Sequence, residues 1–408
     1  MLFLQDGKLR IAARVDPRMH PLLQRLRRIT SGATWIPEID GLRFVAIASV
    51  VLFHIGGQVI SKSGQAWTTQ SWYLPTLKFI TNSNRGVELF FVISGFILGR
   101  PFARQYLLGE KRVSLGSYYL RRLTRLEPPY VINLLLFSIA IFFYVHTPVM
   151  ELTKHFLASA FYIHELVYHQ ASTINGVTWS LELEIQFYLL VPLLVLVYRI
   201  RNSVLRRSVL VAAIIFFSGL QEWAYFQNFW GRPGEILYET VFSFLQFFLA
   251  GLLLSDLYLT ALPRWRPSVL WDIAGLVCWP AYFFINANWE ALALPPLLIV
   301  VFVGAFRGIY FPRLFRVQWI ALIGGMCYSI YLWHFFLIAF VFKVSRYVVV
   351  GHDYLANLLL QCVLLLPPVL LFSTLYYLLV ERPCMDPKWP QKLMGKGKTA
   401  ANASAAAS

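Results

Sequence analysis

An arginine and a histidine eleven residues apart, Arg43 and His54, share one apolar stretch. On a helix that spacing puts the imidazole about 20° off the arginine's face and roughly 16 Å further along the axis. A guanidinium at the foot of such a helix grips anions, and an imidazole, with its intrinsic pKa near neutrality, takes and returns protons. Ionisable groups in hydrocarbon are costly and rarely idle. Two more titratable side chains fall at a similar depth: Glu184, and His334 in the aromatic run Tyr328-Ser329-Ile330-Tyr331-Leu332-Trp333-His334. Three such groups in one layer suit a buried reaction site or a proton path.

A second basic feature is Arg122 and Arg125. Three residues apart on a helical turn, they point to one side and can hold phosphate oxygens bidentately. Each of these groups also has a structural reading. The arginines can be positive-inside anchors, His54 or His334 can bond a neighbouring helix, and Glu184 can close a salt bridge. Glu182 is on a different face from Glu184 and is a weaker candidate. Glu88 stands at the outer mouth of a span, where it lines the site or faces water. Ser180, Tyr331 or amides near Ser94-Gly95 can donate to an oxyanion, although small residues there equally suit tight helix packing.

The elements that must carry these residues are membrane spans. Of 408 residues, 58% are hydrophobic and 14% charged, and the mean hydropathy is +0.59. Apolar runs of bilayer length recur along the chain, predicting an all-α polytopic bundle of about ten transmembrane helices. They fall near 42–60, 87–103, 128–148, 179–198, 208–225, 236–258, 268–286, 291–306, 318–342 and 355–380. The apolar patch from Phe156 to Leu166 is a possible eleventh, short or re-entrant element. With the N-terminus cytoplasmic, only Lys62, Lys78, Arg85, Lys154, Arg232, Lys343 and Arg346 of the 36 Lys and Arg lie outside. That bias supports both termini in the cytoplasm, and an integral multi-pass protein of the cytoplasmic (inner) membrane is expected.

The expected organisation is a basic cytoplasmic tail over 1–35, a transmembrane domain over 36–386 and a disordered tail over 387–408. An interfacial helix is expected near Met19 to Leu26, and no removable signal peptide is read. The net charge of +16 sits between spans and at the ends, which suits anionic lipid rather than nucleic acid. Cys278, Cys327, Cys362 and Cys384 show no metal-ligand spacing, and no metal is expected.

The motifs together resemble the acyltransferase-3 family of multi-span transferases. Ile39-Asp40-Gly41-Leu42-Arg43 with His54 resembles its first-helix arginine and histidine pattern, and Arg85 to Phe96 its second-helix signature. Arg122-Leu123-Thr124-Arg125 is similar to its R-x-x-R element. Thr178-Trp179-Ser180-Leu181 through Glu184 to Phe187-Tyr188 is similar to its Trp-Ser-Leu helix, and Tyr328 to His334 to its late aromatic helix. Glu381-Arg382-Pro383 closes the match. One departure is Glu88, where the family usually has Asp; it keeps the charge and puts the fine geometry in doubt.

The resemblance implies O-acyl transfer, mostly of acetyl from acetyl-CoA, to a hydroxyl of a sugar or glycan at or across the membrane, as in polysaccharide modification. Arg43, Arg122 and Arg125 would hold the anionic head of an acyl-CoA donor. Its pantetheine arm, on the order of 15–20 Å, would bring the thioester to the depth of His54. His54, tuned by Glu184, would be the general base; an acyl-histidine intermediate stays open. The family often carries a fused extracytoplasmic hydrolase-like domain, which is not read here, so any later acyl transfer is expected to need a separate partner or none. For the acceptor, Trp223, Trp230 and Trp289 either stack sugars or form the interfacial belt. The alternative class is a proton-coupled transporter or flippase of a glycan or small solute, since buried His and Glu also couple protons. A non-catalytic sensor or scaffold is a third reading.

Overall fold

The computed structural model describes residues 26–29, 35–63, 74–230, 239–285, 289–386 and 389–390. Residues 19–25 of the expected interfacial helix, and most of both tails, lie outside them. The helices are α1 (Pro37–Ser63), α2 (Leu74–Thr81), α3 (Gly86–Leu108), α4 (Leu115–Val145), α5 (Val149–Ala160), α6 (His164–Tyr168), α7 (Trp179–Leu194) and α8 (Ser203–Trp230). They continue with α9 (Leu245–Thr260), α10 (Val269–Phe284), α11 (Glu290–Arg307), α12 (Phe311–Phe315), α13 (Gln318–Gly325), α14 (Cys327–Ser345), α15 (Tyr354–Tyr376) and α16 (Arg382–Cys384). No strand occurs among the described residues.

Among the described residues, eight helical segments are long and apolar enough to cross a bilayer, and α9 and α10 are shorter apolar helices. Together they account for the ten expected spans. Their lengths follow from bilayer thickness, and their outward faces carry Leu, Val, Ile and Phe because lipid leaves no reason to hide them. Phe143 on α4, Leu276 on α10 and Leu371 on α15 are exposed in this way.

Two expectations change in detail. The ninth span is broken at Met326, between α13 and α14, directly after Gly324-Gly325. The glycine pair supplies no Cβ to resist the break, and Gly324 lies so close to Asp40 that an added Cβ would sit 1.8 Å from its carbonyl oxygen. The patch from Phe156 to Leu166 divides between α5 and α6 around a turn in which Tyr162 has positive φ. At 12 residues α5 is about 18 Å long, too short to span. Gly324→Ala is expected to lower the thermal midpoint of the detergent-solubilised protein. Gly57→Ala, where nothing lies within 4 Å of the added carbon, is the control that should leave it unchanged.

Packing divides the interior into two apolar clusters. One joins α3, α7, α9 and α11 around Phe96, Phe187, Phe248 and Phe302. The other joins α1, α4, α14 and α15 around Ile55, Leu134, Ile338 and Leu365. Helix α1 also contributes Leu42 and Ala46 to the first cluster, and it packs on α3, α13, α14 and α15. The helix carrying Arg43 and His54 is therefore central to the bundle. Gly95 and Gly251 bring α3 and α9 into backbone contact: a Cβ on Gly95 would lie 2.1 Å from the Phe248 carbonyl oxygen. At Gly95 the packing reading therefore holds, and the glycine does not open space for an acyl arm.

Candidate active site

Arg43 and His54 stand on α1 as expected, the arginine near one end of the bundle and the histidine roughly 16 Å along the axis. At the basic end, Asp40 organises the arginines. It accepts from Arg43 at 2.7 Å, from the Trp35 indole at 2.7 Å and from Arg28 at 3.4 Å. Arg28 and Asp40 were not among the candidates; the i, i+3 spacing of Asp40 and Arg43 was the available signal.

Arg122 and Arg125, from the first turns of α4, face the same region. The Arg122 guanidinium lies 3.8 Å from the Tyr118 ring centre and 5.7 Å from that of Tyr188, and donates to the Tyr118 carbonyl at 2.9 Å. Arg125 has Arg28, Glu381 and Tyr188 as charged or polar neighbours. Its Nε and that of Arg122 are buried with no hydrogen-bond partner among the described residues. Glu381 completes this group. One of its oxygens accepts from the Ser329 amide at 3.0 Å and hydroxyl at 2.6 Å, while the other is buried without a partner. Sequence reasoning placed Glu381 in the closing motif but assigned it no role at the site.

His54 meets His334, with ring centres 5.1 Å apart, and is flanked by Phe53 and Phe335 at 5.0 and 4.9 Å. The His334 Nδ1 lies 3.0 Å from the Ile330 carbonyl and 2.8 Å from that of Tyr331. Carbonyls only accept, so Nδ1 carries the proton and Nε2 the lone pair. His334 is fully buried, and its Nε2 has no partner among the described residues. His54 is only half-buried.

Helix α14 connects the two levels. The Tyr328 hydroxyl donates to the Leu126 carbonyl beside Arg125 at 3.1 Å. Its ring lies 6.4 Å from that of Tyr331, and Tyr331 lies 6.4 Å from His334. Residues 328, 331 and 334 are spaced by three and share one helix face, which rises about 9 Å over the six residues. Helix α7 offers a matching face at i, i+4 and i+8: Ser180, Glu184 and Tyr188. Ser180 lies 3.1 Å from the Tyr331 hydroxyl, and Tyr331 donates its proton to the Val177 carbonyl at 2.6 Å. Glu184 accepts from Ser94 at 2.5 Å and from Tyr188 at 2.6 Å.

Three expected roles are redrawn by this geometry. Glu184 makes no contact with His54 among the described residues; it sits between the Ser180–Tyr331 pair and the ring over Arg122. The Tyr331 proton is committed to Val177, so this hydroxyl and Ser180 lock α7 to α14 and leave no spare proton from Tyr331 for an oxyanion. Glu88 accepts from Tyr282 on α10, next to Arg85, which bonds the Tyr282 and Ile285 carbonyls and Glu290. That network clasps α3 to α10 and α11 at the opposite end of the bundle, and nothing brings Glu88 to His54.

At that opposite end the structure also assembles a polar rim over α7. His164 is buried and lies 2.9 Å from His155, and the Glu165 amide donates to Glu182 at 3.1 Å. Burial, with Glu239 nearby, pushes Glu165 up to about 7, and burial holds His164 below its usual value. Among the described residues no cluster of His, Cys, Asp and Glu is arranged to hold a metal ion.

A Staphylococcus aureus strain COL protein named as a candidate O-acetyltransferase is 25% identical over 335 residues, which is 75% of this chain and 51% of that one. The O-acetyltransferase OatA of Staphylococcus aureus strain NCTC 8325 is 23% identical over 354 residues, 78% of this chain and 53% of its own. The chain thus spans about half the length of the curated relatives it matches. No solved structure matches it. The family model for the acyltransferase domain of the acyltransferase-3 family covers residues 36–378, which contain Arg43, His54, Arg122, Arg125, Glu184 and His334, and the chain belongs to that family.

Proposed function

We propose that the chain is a membrane O-acyltransferase that moves an acyl group, acetyl in the first instance, from cytoplasmic acyl-CoA to a hydroxyl of a sugar or glycan at or across the membrane. One observation carries the reading: a half-buried His54 against His334, joined by the α14 face to arginines whose donors are only partly used. The basic end is the cytoplasmic one in this reading, because positive residues concentrate there.

The arginines suit the phosphates of the donor. Arg125 makes no hydrogen bond among the described residues, and Arg122 is held flat on Tyr118 with one donor spent. A guanidinium fork held this way matches phosphate oxygens. In this reading the extended pantetheine arm runs alongside the Tyr328, Tyr331 and His334 face of α14, beside the Ser180–Tyr331 contact, and Glu184 accepts from the arm's amides. The thioester then arrives at His54. An acceptor hydroxyl entering over the polar rim gives its proton to His54 as its oxygen attacks the thioester carbon. The C–S bond breaks, the CoA thiolate takes that proton from His54, and the O-acyl ester leaves. The unpartnered lone pair of His334 faces the imidazolium while it exists and acts by positioning it.

Two expected results follow from this placement. His334→Ala should lower kcat by about 10- to 100-fold while leaving KM for acetyl-CoA within about twofold, because its effect is on His54 rather than on the donor. Glu184→Gln should do the reverse, raising KM for acetyl-CoA with a smaller change in kcat. A kcat loss at constant KM in that variant would return Glu184 to the role of tuning the base. The reading as a whole is tested with protein purified into nanodiscs, acetyl-CoA and candidate glycan acceptors, following release of free thiol. Acceptor-dependent release that needs His54 is the expected outcome. Solute flux without thiol release would instead establish the transporter. Acid quench and mass spectrometry of the His54 peptide separate direct transfer from an acyl-histidine.

A further inference from the structure

A second basic site lies apart from the reaction path. At the basic end, the C-terminal turns of α3 and α9 and the start of α8 enclose a cavity of about 430 Å³. Arg201, Arg206, Arg207 and Arg264 line it, with Leu107 and Trp265 among its walls. None of the lining residues belongs to the group around Arg43, Arg122 and Arg125.

The charges in this cavity do not balance. Arg206 is almost fully buried and reaches Asp256 through Nε and the Ile200 carbonyl, at 2.6 Å, through a terminal nitrogen. Arg207 binds the other oxygen of Asp256 at 2.9 Å and the Thr260 hydroxyl at 2.8 Å. One buried carboxylate therefore serves two guanidiniums. Arg201 and Arg264 are exposed and pair with no carboxylate among the described residues. Two buried or half-buried arginines sharing one acid leave a net positive charge in a partly desolvated place, which an anion would neutralise. The adjoining start of α8 adds its positive dipole end, already capped by Asn202 at the amides of Val204 and Leu205.

We infer that this cavity is a binding site for a phosphate ester. Planar guanidiniums at several angles match the oxygens of a phosphate, and the volume suits a small polar group. The walls are mixed. Trp265 stacks on Trp271 at 5.3 Å, the kind of aromatic pair found at the headgroup level of a bilayer, and Leu107 and Ala261 offer an apolar side to a glycerol backbone. The same chemistry is presented by the headgroup of an anionic phospholipid in the adjacent leaflet and by the nucleotide end of coenzyme A. The site itself rests on the cavity and its charges, and its lipid arm is independent of the acyltransferase reading.

The test uses the full chain in nanodiscs of phosphatidylcholine with and without phosphatidylglycerol, and a paired variant, Arg201→Ser with Arg264→Ser. Both side chains are exposed, so the fold should persist; Arg112→Ser with Arg313→Ser, two exposed arginines outside the cavity, is the charge-matched control. Retained phosphatidylglycerol is counted by native mass spectrometry, and coenzyme A binding is measured separately by titration. A loss of about tenfold or more in phosphatidylglycerol retention, specific to the paired variant, identifies the lipid as the source. A comparable loss in coenzyme A binding identifies the nucleotide. If the paired variant matches the Arg112→Ser, Arg313→Ser control in both measurements, or if the unaltered protein retains neither ligand, the inference is overturned.

Discussion

Replacing His54 with alanine is expected to lower kcat for acyl transfer by about 10²- to 10⁴-fold, the range that a positioned general base contributes. The fold should survive, since His54 is only half-buried and makes ring contacts rather than hydrogen bonds. Neither of its nitrogens is bonded to a described neighbour, whereas His334 has spent one on backbone carbonyls. That difference is why the proposed reaction gives the acceptor to His54 rather than to His334. The measurement is acceptor-dependent thiol release, with circular dichroism and gel-filtration profiles as controls for folding. Turnover within a few-fold of the unaltered protein would remove His54 from the chemistry and with it the proposed path. His54→Gln keeps a polar group of similar reach without a base, and should be as inactive as alanine.

Removing both Arg122 and Arg125 should raise KM for acetyl-CoA by about 10²-fold or more, since each charge-assisted contact to a phosphate is worth about 1.5–3 kcal/mol. The maximal rate at saturating donor should change far less, because neither guanidinium is at the level of His54. Salt supplies an independent check. The unaltered protein should lose donor affinity as ionic strength rises, and the double variant should show a flatter dependence because two of the charges that salt screens are gone. Arg122→Lys should behave more like alanine than its charge suggests. An ammonium keeps neither the stacking on Tyr118, at 3.8 Å, nor the planar fork. Unchanged donor affinity in the double variant would reduce both residues to anchors of the bundle at the basic end.

Much of the fold was legible because bilayer thickness dictates the length of an apolar run. The spans near 42–60 and 291–306 reappear as α1 and α11 with ends shifted by a few residues. One departure comes from a contact between segments distant in sequence. The run 318–342 reads as one span, yet Gly324-Gly325 breaks it, and the reason lies in the close approach of Asp40 from another helix rather than in anything nearby in sequence. The patch from Phe156 to Leu166, read as a possible short or re-entrant element, divides between the short helices α5 and α6 around a turn at Phe161 and Tyr162.

At the site, residue types and helical spacing determined the existence of two groups, arginines at one depth and a histidine roughly 16 Å away, because rise per residue is a property of the helix alone. They could not determine partners. Span ends read from the sequence put Glu184 and His54 in one layer, whereas the structure sets Glu184 a turn nearer Arg122 than the Ser180–Tyr331 pair, and depth does not say which helix faces which. The packing of α1 against α14 gave His54 a histidine for a neighbour, and the packing of α7 against α3 gave Glu184 the hydroxyl of Ser94. Asp40, Arg28 and Glu381 joined the basic group for the same reason: contacts between distant segments depend on helix rotation and crossing, which apolar periodicity in a lipid-facing bundle leaves open.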